Sequence, residues 1–406
     1  MRNSRYVWHN KDHCSGCGVC AIKCAHKAIR MTPDEEGFVY PLIDEEKCVN
    51  CGLCQKVCHE VNDNVFNTGR HKYFGLMLKD DNLLMKSSSG GAFTAICSAI
   101  GNDAIICGST FDETLKAHHL CVENNEDGIN RLRKSKYLQS DLREVFVEIK
   151  HYLRDGRNVL FTGTACQVAA LYTFLGGKPD NLYTVDLICH GVPNQHIFDS
   201  YITSLKAKSK IAINRYSFRE KHRFLNDWEI GIKYGNEKQM FYRSWGEDCY
   251  MSGFLRGLFY RPVCYGCRYS NQDIKRPADI TIADFWGSEK VNKILNSKRG
   301  SSLLISNNVK GMTLIEQIKS DVLLVESPEH MAIFHNHNLF EPTKKNPKRD
   351  EFFKRLRDGE DFETIIRTLY KGPRSHSQKV RVLMELFFPW LVKMRRRTII
   401  KERNNR

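Results

Sequence analysis

Acidic side chains are in deficit in this sequence: 47 Asp and Glu stand against 62 Lys and Arg among 406 residues, a formal net charge of +15. Such an imbalance suits nucleic acid or an anionic membrane as partner. No nucleic-acid recognition motif accompanies the charge, so nucleic acid is not expected. The excess reads instead as a solvated basic surface that also suits acidic redox partners or phosphorylated cofactors. An apolar leader is missing too. Met1-Arg-Asn-Ser-Arg-Tyr-Val-Trp8 has no h-region, which predicts a cytoplasmic protein. Val382 to Val392 is too short and, at Pro389, too interrupted to span a membrane. The basic run after it, Lys393 to Arg406, suits an anionic membrane surface, although a partner-docking helix or a frayed tail is the favoured reading. Apart from one duplicated motif there is no internal repeat. Hydrophobic content of 41% and charged content of 27% are those of an ordinary soluble protein, long enough for two or three domains.

Cysteine is plentiful. Cys14-Ser-Gly-Cys17-Gly-Val-Cys20-Ala-Ile-Lys-Cys24 recurs as Cys48-Val-Asn-Cys51-Gly-Leu-Cys54-Gln-Lys-Val-Cys58. Each copy is C-x2-C-x2-C-x3-C, the spacing by which bacterial-type ferredoxins ligate 4Fe–4S clusters. Three thiolates on one tight loop cap three irons of a cube, and the last cysteine of such a run ligates the other cluster. One site is therefore expected from Cys14, Cys17, Cys20 and Cys58, another from Cys48, Cys51, Cys54 and Cys24. Zinc is the alternative, but zinc modules place their C-x2-C pairs further apart. Sixteen cysteines without an export signal predict thiols kept reduced for metal rather than disulfides. Ala28 to Met31 and Asp34 to Asp44 read as short strands and a turn, so about the first 60 residues resemble a two-cluster ferredoxin. Ala25 and His59 follow the last cysteines where that pattern usually has proline, which bears on redox tuning rather than on ligation.

Beyond a polar linker at 61–72, Tyr73 to Leu78 reads as a strand. Ser87-Ser-Ser-Gly-Gly91 then opens into a helix with Phe93, Ile96, Cys97 and Ile100 on one face. A Ser/Gly loop feeding a helix N-terminus is a seat for phosphate, though serine at an N-cap explains the pattern nearly as well. Strands are expected at 104–111, 117–123, 157–162 and 182–188, and helices at 141–155 and after Gly163-Thr-Ala-Cys166-Gln167. Strand, glycine turn, helix and strand imply a parallel α/β core with ligands at the carboxyl ends of its strands, where Cys166 and Cys189 fall. Residues 211–245 read as strands with excursions. They are followed by Cys264-Tyr-Gly-Cys267, a strand from Arg276 to Gly287, and small strands at 301–306 and 322–325. The expected fold is α+β and multidomain. Residues 1–66 form the ferredoxin unit, 67–343 an α/β oxidoreductase core, and 344–406 a basic helical tail.

Ser88-Ser-Gly-Gly-Ala-Phe-Thr-Ala95, Gly163 to Ala170, Asp186-Leu-Ile-Cys-His-Gly-Val-Pro193, and Cys264 to Cys267 with Ala278-Asp-Ile-Thr281 together resemble the beta subunit of coenzyme F-420 (deazaflavin) hydrogenases and dehydrogenases. Lys134-Ser-Lys-Tyr-Leu-Gln-Ser140 resembles a further motif of that group. The resemblance implies an FAD-containing oxidoreductase with Ser88, Gly90, Gly91 and Thr94 near the flavin, and Lys136, Tyr137 and Gln139 facing it. It also implies a third 4Fe–4S cluster on Cys166, Cys189, Cys264 and Cys267, bridging the ferredoxin clusters and the flavin. Ala165 and Ala283 stand where the family often reads GTPCQ and GDFWG, changes that reshape the flavin face without removing a ligand.

The expected activity is electron transfer between ferredoxin-type clusters and FAD, reducing or oxidising an organic substrate or a deazaflavin-type coenzyme. The alternative is a non-catalytic electron-transfer subunit of a larger redox complex. A redox partner protein or a small-molecule electron donor is implied either way. His190, following a ligand candidate in a glycine turn, is the first candidate for acid or base work; a histidine bonded to cluster sulfur or backbone is the competing reading.

Overall fold

The computed structural model describes residues 11–221, 228–295 and 300–370. Its N-terminal unit has two short helices, Val19–Lys23 and Leu53–Lys56, and an antiparallel hairpin of β1 (Ile29–Pro33) and β2 (Val39–Ile43). Each cysteine loop enters its helix through a glycine in the left-handed region, Gly18 at φ 78° and Gly52 at φ 72°, which a side chain would strain. Asp34 Oδ1 closes the hairpin turn by accepting from the Glu36 and Phe38 N–H groups at 3.0 and 2.9 Å.

The core is built on an eight-stranded sheet of β3 (Lys72–Leu78), β4 (Ile105–Phe111), β5 (Ala117–Glu123), β6 (Val159–Thr164) and β7 (Leu182–Leu187), completed by three strands from later in the chain. A separate antiparallel sheet comes first along the chain, from β8 (Ile213–Glu220), β9 (Glu229–Tyr234) and β10 (Phe241–Ser244). The strands completing the large sheet are β11 (Ile280–Asp284), β12 (Ser302–Ser306) and β13 (Val322–Ser327), in the order β13-β3-β12-β11-β7-β6-β4-β5.

Only the middle of that sheet is the parallel core expected from the alternating pattern: β11, β7, β6 and β4 run parallel. The flanks are antiparallel, β5 on one side and β12, β3 and β13 on the other. The connection after β4 explains one flank. It is a tight turn in which Asp112 Oδ1 accepts from the Thr114 and Lys116 N–H groups, too short for a crossover, so β5 folds straight back. Between β6 and β7 the helix Ala165–Leu175 supplies the crossover that parallel neighbours require.

One register has an outcome that the cysteine count did not foretell. Cys107 and Cys121 face each other across β4 and β5 with Cα atoms 4.3 Å apart and are joined as a disulfide. The expectation that every cysteine stays a thiol is corrected for these two, because a narrow antiparallel pair brings Cβ atoms within bonding reach. Cys97 and Cys249 are buried free thiols.

A second apolar core lies under the three-stranded sheet, where Phe198, Tyr201, Phe218 and Tyr250 pack together. Helices Arg349–Arg357 and Phe362–Leu369 complete it with Phe352, Phe353, Phe362, Ile365 and Ile366. The part of the expected basic tail beyond residue 370 lies outside the described residues. Among the described residues no helix is long and apolar enough to cross a membrane.

Arg276, only 2% exposed, fastens the segment before β11 to the end of β7. Its Nη2 donates to Asp186 Oδ1 at 2.7 Å and to the Leu187 carbonyl at 3.0 Å, and its Nη1 to the Tyr269 carbonyl at 2.9 Å. Arg276→Leu leaves the buried Asp186 carboxylate alone and should cost about 3–5 kcal/mol. An anaerobic denaturation curve indistinguishable from that of the native chain would count against this role.

Candidate functional site

Cys14, Cys17, Cys20, Cys54 and Cys58 all line one small cavity in the N-terminal unit, so one cysteine expected at the other site joins the expected four. Burial pushes the Cys17 thiol well above its ordinary pKa, and Cys20, Cys58 and Cys14 add like-charge repulsion. Burial likewise takes Cys20 to about 12, with Cys14 and Cys58 adding to it. Burial raises Cys54 as well, followed at a distance by repulsion from Cys48 and Cys51, the latter exposed at the surface. Cys24, expected with this outer set, accepts from the Ala28 N–H at 3.3 Å.

A third set forms where the parallel strands end. Thr164 of β6 and Leu187 of β7 are in register, and Cys166 and Cys189 each follow two residues later. Thr164 also caps the helix that begins at Ala165, so Cys166 sits in a first helical turn, where free N–H groups favour a thiolate. Cys264 and Cys267 arrive on a short 3-10 turn, Pro262–Gly266, and its end. Hydrogen bonds from the Arg261 N–H to the Val192 carbonyl and from Arg276 to the Tyr269 carbonyl, both 2.9 Å, hold that turn against the Cys189 loop.

The four thiols act on one another. After burial, Cys264 is raised by Cys189, Cys267 and Cys166, while Cys166 and Cys189 both stand at about 12 and Cys267 at about 11. Two buried arginines oppose this: Arg261 lowers Cys14 and Cys166, and Arg276 lowers Cys189 and Cys267. Four buried thiols that raise one another, with cations at hand, have the chemistry of a donor set that could take metal as thiolates. Among the described residues no three His, Cys, Asp or Glu side chains gather as around one metal ion. A four-iron cube takes each thiolate at a different iron and asks for a wider arrangement.

Beside this set lies a cavity of about 280 Å³, to which Cys189, His190 and the residues expected near flavin all contribute, Gly90 excepted. Ser88, Gly91 and Thr94 come from the loop and first turn of the helix Ala92–Ala99, where unpaired N–H groups gather. Gly90 lies behind the wall: a Cβ there would stand 2.1 Å from the Leu76 carbonyl oxygen, so the loop needs glycine to lie on β3. At Gly91, with φ +90°, a Cβ would meet Leu78 Cδ1 at 2.2 Å. Glycine is required there by the protein's own packing, not only by room for a phosphate.

Other expected contacts are partly engaged elsewhere. Lys136 Nζ donates to the carbonyls of Leu132, Arg133 and Lys134 at 3.1, 2.9 and 3.2 Å, closing the end of the helix Glu126–Leu132. Burial brings its pKa down to about 7. Gln139 donates to the Ser15 carbonyl and accepts from Arg261 Nε, at 2.8 and 2.9 Å, so it also joins the N-terminal unit to the core. The Tyr137 hydroxyl accepts from Arg219 at 3.1 Å. The His190 ring is exposed to the cavity but enclosed by its walls, and this burial, with His337 nearby, lowers its pKa.

Several residues of the site carried no sequence signal of their own. Arg133 Nε donates to Thr94 Oγ1 at 3.0 Å and places a cation in the loop's wall. Arg219 bridges Asp284 in two bonds of 2.8 and 3.1 Å and holds the Ser88 carbonyl at 3.0 Å. His59, where a proline was expected, is 1% exposed, its ring bonded to Ser15 Oγ and the Tyr269 hydroxyl, each at 2.7 Å. Burial holds its pKa down to about 3 and pushes that of neighbouring Glu60 up to about 7.

Residues 156–330 match the family described as the C terminus of the coenzyme F420 hydrogenase/dehydrogenase beta subunit. Residues 13–61 match the 4Fe-4S dicluster domain, which supports iron–sulfur clusters in the N-terminal unit. An uncharacterised ferredoxin of Methanocaldococcus jannaschii is 40% identical over 58 residues, 14% of this chain. The chain spans 34% of the length of that curated relative. The xenon-derivatised F420-reducing nickel–iron hydrogenase complex from Methanosarcina barkeri aligns with 76% of this chain and 94% of the matched chain, at 13% identity and a TM-score of 0.43.

The thiol shifts give a pH dependence with a definite sign. Cys20, Cys166 and Cys189 rise from the ordinary 9.0 to about 12 in the folded, metal-free chain. Unfolding therefore releases protons above the lower value, and the metal-free fold should lose stability as pH climbs from about 9 towards about 12. The iron-loaded chain should instead lose metal on acidification, because protons compete for its thiolates. Thermal melts of chelated and loaded protein across this range check both signs; a metal-free melting temperature that rises above about pH 9 contradicts the first.

Proposed function

We propose that the chain is an FAD- and iron–sulfur-dependent oxidoreductase. Its N-terminal ferredoxin unit receives electrons from a redox partner protein or a small donor, and its core exchanges them with an organic substrate or a deazaflavin-type coenzyme. In this reading Cys14, Cys17, Cys20 and Cys58 hold one 4Fe–4S cluster, Cys48, Cys51, Cys54 and Cys24 a second, and Cys166, Cys189, Cys264 and Cys267 a third. One observation carries it: Cys189, which acts on Cys264 within the third set of thiols, lines the same cavity as Ser88, Gly91 and Thr94. The match of residues 156–330 to the F420 hydrogenase/dehydrogenase beta-subunit family supports it.

A flavin bound in that cavity supplies the exchange between one-electron and two-electron chemistry. The chain's own part is binding and orientation. The N–H groups opening the helix Ala92–Ala99 and the Arg133 guanidinium suit a pyrophosphate. The Arg219–Asp284 pair steadies the Ser88 carbonyl from the far side. His190, in the wall beside Cys189, is the group placed to hold or deliver a proton at a substrate in the cavity.

Anaerobic purification with flavin extraction and iron quantitation tests this assignment. Cys17→Ser and Cys264→Ser should each lower iron by about one cluster, since serine is a harder and poorer ligand for this iron. Zinc without iron overturns the reading. Flavin together with reduction of an acceptor by the chain alone supports an enzyme; activity only with an added protein makes it an electron-transfer subunit.

Gly91→Val is a poor probe of flavin binding, because its clash with Leu78 disturbs the loop itself. Arg133→Ala is better. Loss of a charge-assisted contact to phosphate should weaken flavin by about 1.5–3 kcal/mol, roughly ten- to a hundredfold in dissociation constant, with iron unchanged. Fluorescence titration of deflavinated protein gives the number, and unchanged affinity places the phosphate elsewhere.

A further inference from the structure

His59 stands between two cysteine sets that are more than a hundred residues apart in the chain. It follows Cys58 directly, Ser15 follows Cys14, and Tyr269 lies two residues beyond Cys267. The two 2.7 Å bonds, Ser15 Oγ to His59 Nε2 and His59 Nδ1 to the Tyr269 hydroxyl, therefore run from the inner ferredoxin loop to the core cysteine turn without a break. All three side chains are buried, at 7%, 1% and 2% exposure. The neighbouring Glu60 acts on Cys14 from one side and on Cys166 and Cys267 from the other, so the two sets flank this point. Cys17, Cys166 and Cys267 pack against one apolar cluster that includes Val19 and Tyr269.

We infer that His59 is the positioning residue through which the inner ferredoxin set and the core set exchange electrons. The inference rests on the cluster assignment proposed above. Proline, usual after the last cysteine of such a run, offers no ring nitrogen to either neighbour; histidine bonds both. The result is a fixed, water-poor joint whose dipoles need little rearrangement when charge crosses. The step is one electron. Iron that Cys14, Cys17, Cys20 and Cys58 would hold would give up one electron and iron that Cys166, Cys189, Cys264 and Cys267 would hold would take it, with no bond made or broken and no proton needed. An external one-electron reductant resupplies the ferredoxin unit.

Full-length protein, purified anaerobically, is mixed with dithionite and frozen at intervals for electron paramagnetic resonance. The signal absent from Cys264→Ser marks the core cluster. In Tyr269→Phe and His59→Phe, iron content and reduction of the ferredoxin clusters should match the native chain. Arrival of the electron at the core cluster should slow about tenfold or more, by analogy with the scale on which outer-shell groups act at metal sites. His59→Gln, which keeps a side-chain donor and acceptor, should recover part of the rate. If His59→Phe loses iron, Tyr269→Phe, which removes one hydroxyl and keeps the ring, decides alone. An unchanged rate in an iron-replete Tyr269→Phe overturns the proposal. Native protein with iron for only two clusters overturns the core assignment and this inference with it, and shows as much before any bridge variant is made.

Discussion

Electrons cross protein only where their stations stay close, so everything in this chain depends on the seam between the N-terminal unit and the core. Arg261 is the buried centre of that seam. Its guanidinium enters the space left by Gly16, where a Cβ would stand 2.4 Å from Nη2. There it donates to the Cys14 and Val39 carbonyls, each at 3.1 Å, lies over the rings of Phe38 and Tyr40, and takes Gln139 from the core at 2.9 Å. A cation buried to 2% exposure is costly unless negative charge faces it. Cys14 and Cys166, both lowered by this arginine, supply that charge once they are thiolates. Metal binding and docking of the two units thus favour each other.

Arg276 repeats the arrangement one step deeper. It satisfies Asp186, ties the Tyr269 carbonyl to the end of β7, and lowers Cys189 and Cys267. Some of the positive charge that the sequence displays is therefore internal. These arginines are not a basic surface awaiting an anionic partner; they lie beside the thiols that a cluster would hold as anions.

The sequence was most legible where chemistry is local. The cysteine spacing needs only a dozen residues to declare itself; Cys14, Cys17 and Cys20 share one cavity with Cys54 and Cys58 of the second run. The ends of β6 and β7 were readable because strand, turn and helix alternate there, which put Cys166 and Cys189 side by side before any register was known. What stayed hidden is set by strand pairing, whether across a hairpin or across the whole chain. Nothing near Cys107 announces Cys121 as a bonded neighbour, since only the β4–β5 register joins them. The antiparallel flanks were missed for the same reason: β3 pairs with β12 and β13, strands that come more than two hundred residues later. Lys136 and Gln139 show a different limit. The resemblance implies that they face a flavin; they line the cavity, but their polar atoms are already bound to a helix end and to the ferredoxin loop.

Cys51 is exposed, the other cysteines of the three sets are partly covered, and Cys189 lines the cavity of the core. Val49, Leu53 and Val61 stand exposed around the outermost set, at 57%, 37% and 57%. An apolar surface beside one set would suit a protein-sized redox partner, and the cavity lined by Cys189 would suit a small molecule. His59, dry in the seam, is with Gln139 and Arg261 one of the side chains that touch both halves of the molecule.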